Sequence, residues 1–213
     1  MRVLMTGFDP FGGESVNPSW EAAVGVAEAL PDAAARRLPV VFGAAGAALR
    51  EAVAEVRPAL VVCLGQAGGR AELSVERVAV NVDDASIADN AGARPVDEPV
   101  VPGGPAAYFS GLPVKACVAA SRAAGVPAAV SQSAGTFVCN HVFYRLMHLA
   151  ATEGPGLRGG FVHVPYAPGQ VADGSRGPSM EVASMVRGVA AMIAAACGTP
   201  AGTDLRAPGG AVS

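Results

Sequence analysis

Charged and aromatic side chains are scarce in this sequence, and no run of basic residues occurs in it. Only 15% of its 213 residues are Asp, Glu, Lys or Arg, and the formal net charge is −3. Surfaces that bind nucleic acid track the phosphates with clustered Lys and Arg, so we expect no nucleic-acid partner. Hydrophobic residues make up 51% of the chain although aromatics make up only 5%. Small apolar residues therefore dominate, which is typical of helices packed closely on a sheet.

Long hydrophobic runs are also missing. The apolar stretch at residues 3–5 ends at Thr6, which is too short for the core of a signal peptide. The most apolar later segment, residues 188–197, is about half the ~18 residues that a membrane span needs. We therefore expect a cytoplasmic protein that does not associate with membranes.

Cysteine patterns for metal binding are absent. The four cysteines, Cys63, Cys117, Cys139 and Cys197, contain no C-x-x-C pair and no zinc-type spacing to a histidine. In a reducing cytosol they should be free thiols. The Gly-rich segments 7–13 and 65–69 lack both the dinucleotide fingerprint and the Lys of a phosphate loop. We expect both to be tight turns, and we predict neither a metal nor another cofactor.

What the sequence does contain is an alternation of short apolar runs and Ala-rich segments of helix length. This order predicts one α/β domain over residues 1–197, in which a mostly parallel, twisted sheet carries helices on both faces. Asn17-Pro18 supports one helix start, because it offers an N-cap followed by proline at the first helical position. The predicted strands are 2–6, 37–42, 59–64, 78–82, 128–131 and 160–164, and the predicted helices are 18–30, 44–56, 114–124, 136–151 and 178–196.

Two segments fit no regular element. Residues 83–105 are rich in Asp, Gly and Pro, and a loop of this length in a compact domain is usually functional or part of an interface. Residues 198–213 lack apolar periodicity, so we predict a flexible C-terminal tail.

Cys139 lies where a predicted strand turns into a predicted helix. The chain leaves strand 128–131, turns at Ala134-Gly135 and places Cys139 in the first helical turn. Unpaired N–H groups and the helix dipole favour a thiolate there, which predicts a lowered pKa and a nucleophilic sulfur. The alternative is that Cys139 is a small buried hydrophobic residue.

A cysteine nucleophile needs an imidazole to protonate the leaving amine. His141 and His148 lie about 200° and about 180° round the helix from Cys139, so neither can reach the sulfur. His163 remains, near the carboxyl end of strand 160–164, although a strand histidine can also be a structural core residue. A third group usually orients the imidazole. The sequence alone does not rank the acidic residues available for this role, which are Glu72, Glu76, Asp83, Asp84 and Asp89.

With these residues the chain resembles the pyroglutamyl peptidase I (pyrrolidone carboxyl peptidase) family of cysteine peptidases, over roughly residues 1–170. Four sequence blocks carry the resemblance: TGFDPFGG with NPSW (6–13 and 17–20), GQAGGR with ERVA (65–70 and 76–79), SAGTFVCN (133–140) and HVP (163–165). It implies a three-layer α/β/α sandwich, a homotetramer, and release of an N-terminal pyroglutamyl (5-oxoproline) residue from peptides through a thioester.

The resemblance also implies roles for individual residues. The catalytic Glu, Cys and His fall on Glu76, Cys139 and His163. The lactam pocket falls on Phe8, Phe11, Asn17, Gln66, Phe137 and Val138. Phenylalanines would supply the ring walls, and Gln66 or Asn17 would bond the lactam polar groups.

The chain departs from the family pattern at Ser86, where the family usually has Arg. A neighbouring arginine, Arg70, Arg77 or Arg94, is expected to compensate in part. Two other functions stay open: an amidase acting on another small lactam or acyl amide, and a homologue that binds pyroglutamyl groups without cleaving them.

Overall fold

The fold is a six-stranded sheet between two layers of helices. The computed structural model describes residues 1–171 and 177–209. The strands are β1 (Val3–Phe8), β2 (Ala33–Leu38), β3 (Leu60–Gln66), β4 (Leu73–Glu76), β5 (Val78–Val80), β6 (Ala107–Phe109), β7 (Ala128–Ser131) and β8 (Arg158–Val164). The helices are α1 (Pro18–Ala29), α2 (Ala44–Val56), α3 (Val114–Ala123), α4 (Val138–Thr152) and α5 (Val182–Gly198), with a 3₁₀ turn at Pro168–Gln170.

The sheet is mixed but mostly parallel, with strand order β2-β1-β3-β8-β4-β7. β2, β1, β3 and β8 are parallel, whereas β4 pairs antiparallel with β8 and parallel with β7. β5 and β6 form a separate two-stranded ribbon.

Two hydrophobic clusters, one on each face of the sheet, hold the helices in place. One contains buried residues of α1, α3 and α5, and the other contains those of α2 and α4 together with Phe8 and Phe161. The predicted α/β fold with helices on both faces is therefore confirmed. In the part of the chain that the structure describes, no helix combines the length and apolarity needed to cross a lipid bilayer.

Helix positions were predicted closely, and α2 has the bounds predicted for it. α1 begins as predicted, because the Asn17 side chain accepts a hydrogen bond from the Ser19 N–H and Pro18 is the first helical residue.

Two strand predictions were wrong. The strand predicted at 37–42 lies at Ala33–Leu38, because the apolar run after Leu38 contains Pro39, which lacks the N–H that a ladder needs. The strand predicted at 78–82 belongs to the small ribbon, and its place in the main sheet is taken by β4. β4 escaped prediction because Ser74 and Glu76 interrupt its apolar pattern, although both are buried.

The segment after α5 returns to the body of the domain. The carboxylate of Asp204 accepts hydrogen bonds from the main-chain N–H groups of Lys115 and Ala116, at 3.0 and 2.9 Å, at the start of α3. The Gly209 carbonyl accepts a bond from Arg77. Flexibility of the tail at 198–213 stays a prediction, and residues 210–213 lie outside the described part.

Candidate active site

Cys139 is the second residue of α4, as the sequence predicts for a position in the first helical turn. The preceding turn uses Gly135 at φ 78°, a backbone conformation that favours glycine. Thr136 exchanges two hydrogen bonds with the main chain of Asp84, and the buried Asn140 side chain bonds Val80 N–H and the carbonyls of Val80 and Val82. The helix start that carries Cys139 is thus anchored on both sides.

The N-terminal N–H groups of α4 face no side-chain cap among the described residues. The first N–H groups of any helix lack a partner within the helix, and the Cys139 N–H is one of these. A fixed main-chain donor therefore sits beside the sulfur, where it can bond a developing oxyanion.

His163 and Glu76 form a buried pair. Nδ1 of His163 lies 2.7 Å from Oε1 of Glu76, and both side chains are almost completely buried. Arg70 donates a second hydrogen bond to the same oxygen at 2.8 Å. Because the ionised carboxylate only accepts hydrogen bonds, Nδ1 carries the proton, and Nε2 of neutral His163 is left with its lone pair free to accept one.

The sheet brings Cys139 next to this histidine. Gly65 of β3 and His163 of β8 are Cα partners in register, on strands about 4.8 Å apart. A Cβ atom added to Gly65 would lie 2.8 Å from Sγ of Cys139. The sulfur therefore lies directly over Gly65, on the sheet position that adjoins His163.

The predicted lowered pKa of Cys139 is wrong for the structure as it stands. Burial, together with a smaller contribution from the charge of Glu76, raises the pKa of the Cys139 thiol to about 12, although the charge of Arg70 lowers it in part. A helix N-terminus stabilises a charge by about 0.3–1 kcal/mol, less than one pKa unit, so desolvation outweighs it. The resting group is a thiol.

His163 is also neutral at rest. Burial lowers the pKa of His163, while its hydrogen bond to Glu76 and the charge of that carboxylate raise it in part. A neutral imidazole beside a thiol is the state in which His163 can remove the proton from Cys139.

An aromatic pocket adjoins the sulfur. It is lined by Phe8, Phe11, Asn17, Val40, Gln66, Phe137, Val138 and Cys139. All six predicted pocket residues are among these eight, and Cys139 is the one residue of the eight with an ionisable side chain. Val40 also lines the pocket and was not predicted from the sequence.

Aromatic contacts shape the pocket wall. The Phe137 ring lies 6.2 Å from that of Phe11 and packs edge-on against Phe42 at 5.4 Å. Sequence reasoning missed Phe42, because it lay in the run wrongly predicted as a strand.

Segment 83–105, the loop for which a functional role was predicted, forms hydrogen bonds to the chain segments around the pocket. The carboxylate of Asp89 accepts hydrogen bonds from the main-chain N–H groups of Phe42, Ala91 and Ala93. Asn90 bonds the Pro10 carbonyl and donates its N–H to the Val40 carbonyl. The loop therefore links the segment of Val40 and Phe42 to the segment that carries Phe8 and Phe11.

The other two histidines are engaged elsewhere, as the helix geometry predicts. His141 pairs with Asp83 at 2.7 Å, and His148 lies 2.9 Å from the hydroxyl of Tyr108. Among the acidic residues that the sequence left unranked, Glu76 is the one in contact with His163.

The arginines near Ser86 take different positions. Arg94 donates to the main-chain oxygen of Ser86, Arg70 contacts Glu76, and Arg77 bonds the Gly209 carbonyl. Of the three, Arg70 is the one whose charge acts on Cys139. Within residues 1–171 and 177–209 no cluster of three or more potential metal ligands occurs.

Comparison with known proteins gives consistent results. The pyroglutamyl peptidase family model matches residues 1–199. The pyrrolidone-carboxylate peptidase of Streptomyces coelicolor is 62% identical and aligns with 99% of this chain and 98% of its own length. That of Cupriavidus necator is 58% identical, with 98% and 97% covered.

Solved structures agree with these sequence matches. The pyroglutamyl peptidase I of Bacillus amyloliquefaciens superposes with a TM-score of 0.89 at 45% identity, covering 93% of this chain and 97% of that one. A mutant pyrrolidone carboxyl peptidase of Pyrococcus furiosus gives 0.88 at 42% identity, covering 93% and 99%. The fold, the pocket and these matches together place the chain in the pyroglutamyl peptidase family of cysteine peptidases.

Proposed function

We propose that the chain removes an N-terminal pyroglutamyl residue from peptides, with Cys139 as nucleophile, His163 as general acid and base, and Glu76 as the group that orients His163. The observation that carries the proposal is the position of the Cys139 sulfur. It lies beside a His–Glu pair on one side and an uncharged aromatic pocket on the other.

The pocket suits a pyroglutamyl ring. Pyroglutamate has no free amine, so its site needs no carboxylate to hold an ammonium group. Phe8, Phe11 and Phe137 provide apolar walls for the five-membered ring, and an amide side chain can pair with its polar atoms.

Acylation begins with proton transfer from the Cys139 thiol to Nε2 of His163. The sulfur attacks the carbonyl carbon that joins pyroglutamate to the next residue, and the Cys139 N–H donates a hydrogen bond to the developing oxyanion. The C–N bond breaks, His163 returns the proton to the departing amine, and a pyroglutamyl thioester remains.

Deacylation uses the same histidine as a base. His163 takes a proton from water as the oxygen attacks the thioester carbonyl, and the C–S bond breaks. The proton passes to the sulfur, free pyroglutamate leaves, and the thiol is restored. Glu76 holds Nδ1 throughout and stabilises the imidazolium that forms in each step.

The test is a mass measurement on paired peptides. A pyroglutamyl peptide and the same peptide with N-terminal proline are incubated with the wild type and with Cys139→Ala. We expect the wild type to release pyroglutamate, to leave the prolyl peptide intact, and to lose this activity with Cys139→Ala. Release by Cys139→Ala, or hydrolysis of another lactam or acyl amide in preference to the pyroglutamyl bond, would overturn the proposal.

Two properties of the whole protein belong to the same proposal. We infer a homo-oligomer, a tetramer by family resemblance, and note that Phe109 and Val96 are large apolar side chains that are more than two-thirds exposed. Light scattering on the purified protein measures the subunit number. The cytoplasmic location and the partial compensation for Ser86 by Arg70 are likewise proposals.

A further inference from the structure

Two buried glutamine side chains form a hydrogen-bonded chain that ends at the pocket. Nε2 of Gln170, in the 3₁₀ turn after β8, donates to Oε1 of Gln66 at 2.9 Å. Gln66 lines the pocket and is 8% exposed, and Gln170 is 9% exposed. Water therefore has little opportunity to replace either partner.

Hydrogen bonds at both the Oε1 and the Nε2 atom fix the orientation of the Gln170 amide. Its Oε1 accepts the main-chain N–H of Ala167 at 3.0 Å, and a main-chain N–H can only donate. Its Nε2 also approaches the carboxylate of Glu14 at 3.3 Å, and a carboxylate accepts. Exchanging oxygen and nitrogen on Gln170 would place two donors together on one side and two acceptors together on the other.

The orientation of Gln170 in turn fixes that of Gln66. Because Gln170 presents a donor, Gln66 must present its oxygen to it, so that the Gln66 Nε2 group is turned away from Gln170. Within the described residues, Gln66 Nε2 donates no hydrogen bond.

Asn17, the other amide of the pocket, makes more hydrogen bonds to the protein than Gln66 does. Its oxygen accepts the Ser19 N–H and hydroxyl, and its nitrogen donates to the Asp9 carbonyl at 2.9 Å. The sequence left open whether Gln66 or Asn17 pairs with the lactam, and these contacts favour Gln66.

We propose that Gln170 is a positioning residue that determines specificity: it holds Gln66 with its N–H donors toward the pocket, so that the pocket selects a ring bearing a carbonyl acceptor. A pyroglutamyl ring offers that acceptor. A prolyl ring has a methylene at the same place and would leave a buried donor unpaired, the kind of loss by which a polar site rejects an analogue. The inference rests on the proposed function.

The decisive variant is Gln170→Glu. The introduced carboxylate keeps the shape of the glutamine side chain and can still accept the Ala167 N–H, but its second oxygen faces Gln66 and cannot donate. Gln66 must then reverse and donate to that carboxylate, which turns the Gln66 oxygen toward the lactam carbonyl. Gln170→Met is the matched control, because it removes the bond and imposes neither orientation on Gln66.

The assay is KM and kcat on a pyroglutamyl anilide at pH 8.5, with the affinity for 2-pyrrolidone measured by its protection of Cys139 against alkylation. At that pH a glutamate is ionised even if neighbouring Glu14 raises its pKa by ~3 units. With Gln66 free to take two orientations, Gln170→Met should raise KM and lower the affinity for 2-pyrrolidone, each by about twofold. Gln170→Glu should raise KM and lower the pyrrolidone affinity by about 10-fold or more. To bind the lactam, Gln66 would have to reverse and give up its hydrogen bond to the introduced carboxylate.

If Gln170 served only to fill space, Gln170→Glu should lose less affinity than Gln170→Met, since glutamate matches glutamine more closely in shape. The proposal is overturned if Gln170→Glu binds as well as Gln170→Met, or if the loss appears in kcat and leaves KM and pyrrolidone affinity unchanged. Thermal melting of both variants checks that they are folded. If the wild type itself does not cleave the anilide, the proposed function fails, whereas pyrrolidone protection still reports on the orientation of Gln66.

Discussion

Gly65→Ala should disable catalysis by displacing the nucleophile while the triad residues stay intact. The new Cβ would lie 2.8 Å from Sγ of Cys139 and 2.7 Å from the Phe161 ring, and ordinary contacts begin at 3.4 Å. The sulfur must therefore move by at least about 0.6 Å. A misplacement of about 1 Å can cost ~10²-fold in rate, so we expect kcat to fall between ~10- and ~100-fold.

The matched control is Gly198→Ala, because a Cβ at Gly198 meets no atom of the described residues within 4 Å. Overpacking at Gly65 should also lower stability by about 1–3 kcal/mol, so kcat is measured well below the melting temperature of each variant. KM should change little, since the pocket phenylalanines are not pushed. A Gly65→Ala enzyme with kcat within twofold of the wild type would refute the placement of the reacting sulfur over Gly65.

Three further outcomes follow from the charges around the site. Glu76→Gln replaces the charged partner of His163 with a neutral one and should lower kcat about 10- to 150-fold, the value of a hydrogen bond to a charged group. Since Glu76 raises the pKa of His163, its loss should also move the acid limb of the kcat/KM profile to lower pH, and an unmoved limb would argue against the pair. Alkylation of Cys139 by iodoacetamide should keep rising from pH 7 to pH 10, because burial raises the thiol pKa to about 12; a plateau near neutrality would indicate a standing thiolate. At Asp89, burial raises the carboxyl pKa but is outweighed by the main-chain N–H groups it accepts, including that of Phe42, so the net pKa is lowered. Its stabilisation is therefore present above the unfolded pKa and lost as pH falls through the folded one. Asp89→Asn should cost about 1–3 kcal/mol in urea unfolding at pH 7, and this difference should shrink below about pH 4; a difference independent of pH would contradict the assignment.

The sequence was most informative where one local signal sufficed. Helix starts such as Asn17-Pro18 carry their own capping chemistry, and the alternation of elements predicts the layers of the fold. Cys139 at a helix start and His163 near a strand end could be paired because the carboxyl ends of parallel strands share one sheet edge.

Strand β4 shows what pattern alone misses. It is short, runs antiparallel to β8 and buries Ser74 and Glu76. In the sequence, these polar residues are more typical of a loop than of a buried strand. Their burial is explained only by the partners they meet in three dimensions, His163 and Arg70 in the case of Glu76.

Long-range amide and charge relations were equally hidden. No spacing along the chain relates Gln170 to Gln66, or Asp89 to Phe42, since both contacts depend on how distant loops pack. The thiol pKa was misjudged for the same reason, because the helix start is visible in the sequence and the burial of the sulfur is not.

The central claim, that Cys139 carries the acyl group, is tested most directly by trapping the intermediate. The enzyme is mixed with a pyroglutamyl ester, quenched in acid within milliseconds, digested and analysed by mass spectrometry, with Cys139→Ala in parallel. We expect a mass increase of one pyroglutamyl group on the peptide that contains Cys139, removed by hydroxylamine and absent from Cys139→Ala. A pyroglutamyl group on any other residue, or turnover by Cys139→Ala at a rate near that of the wild type, would contradict it.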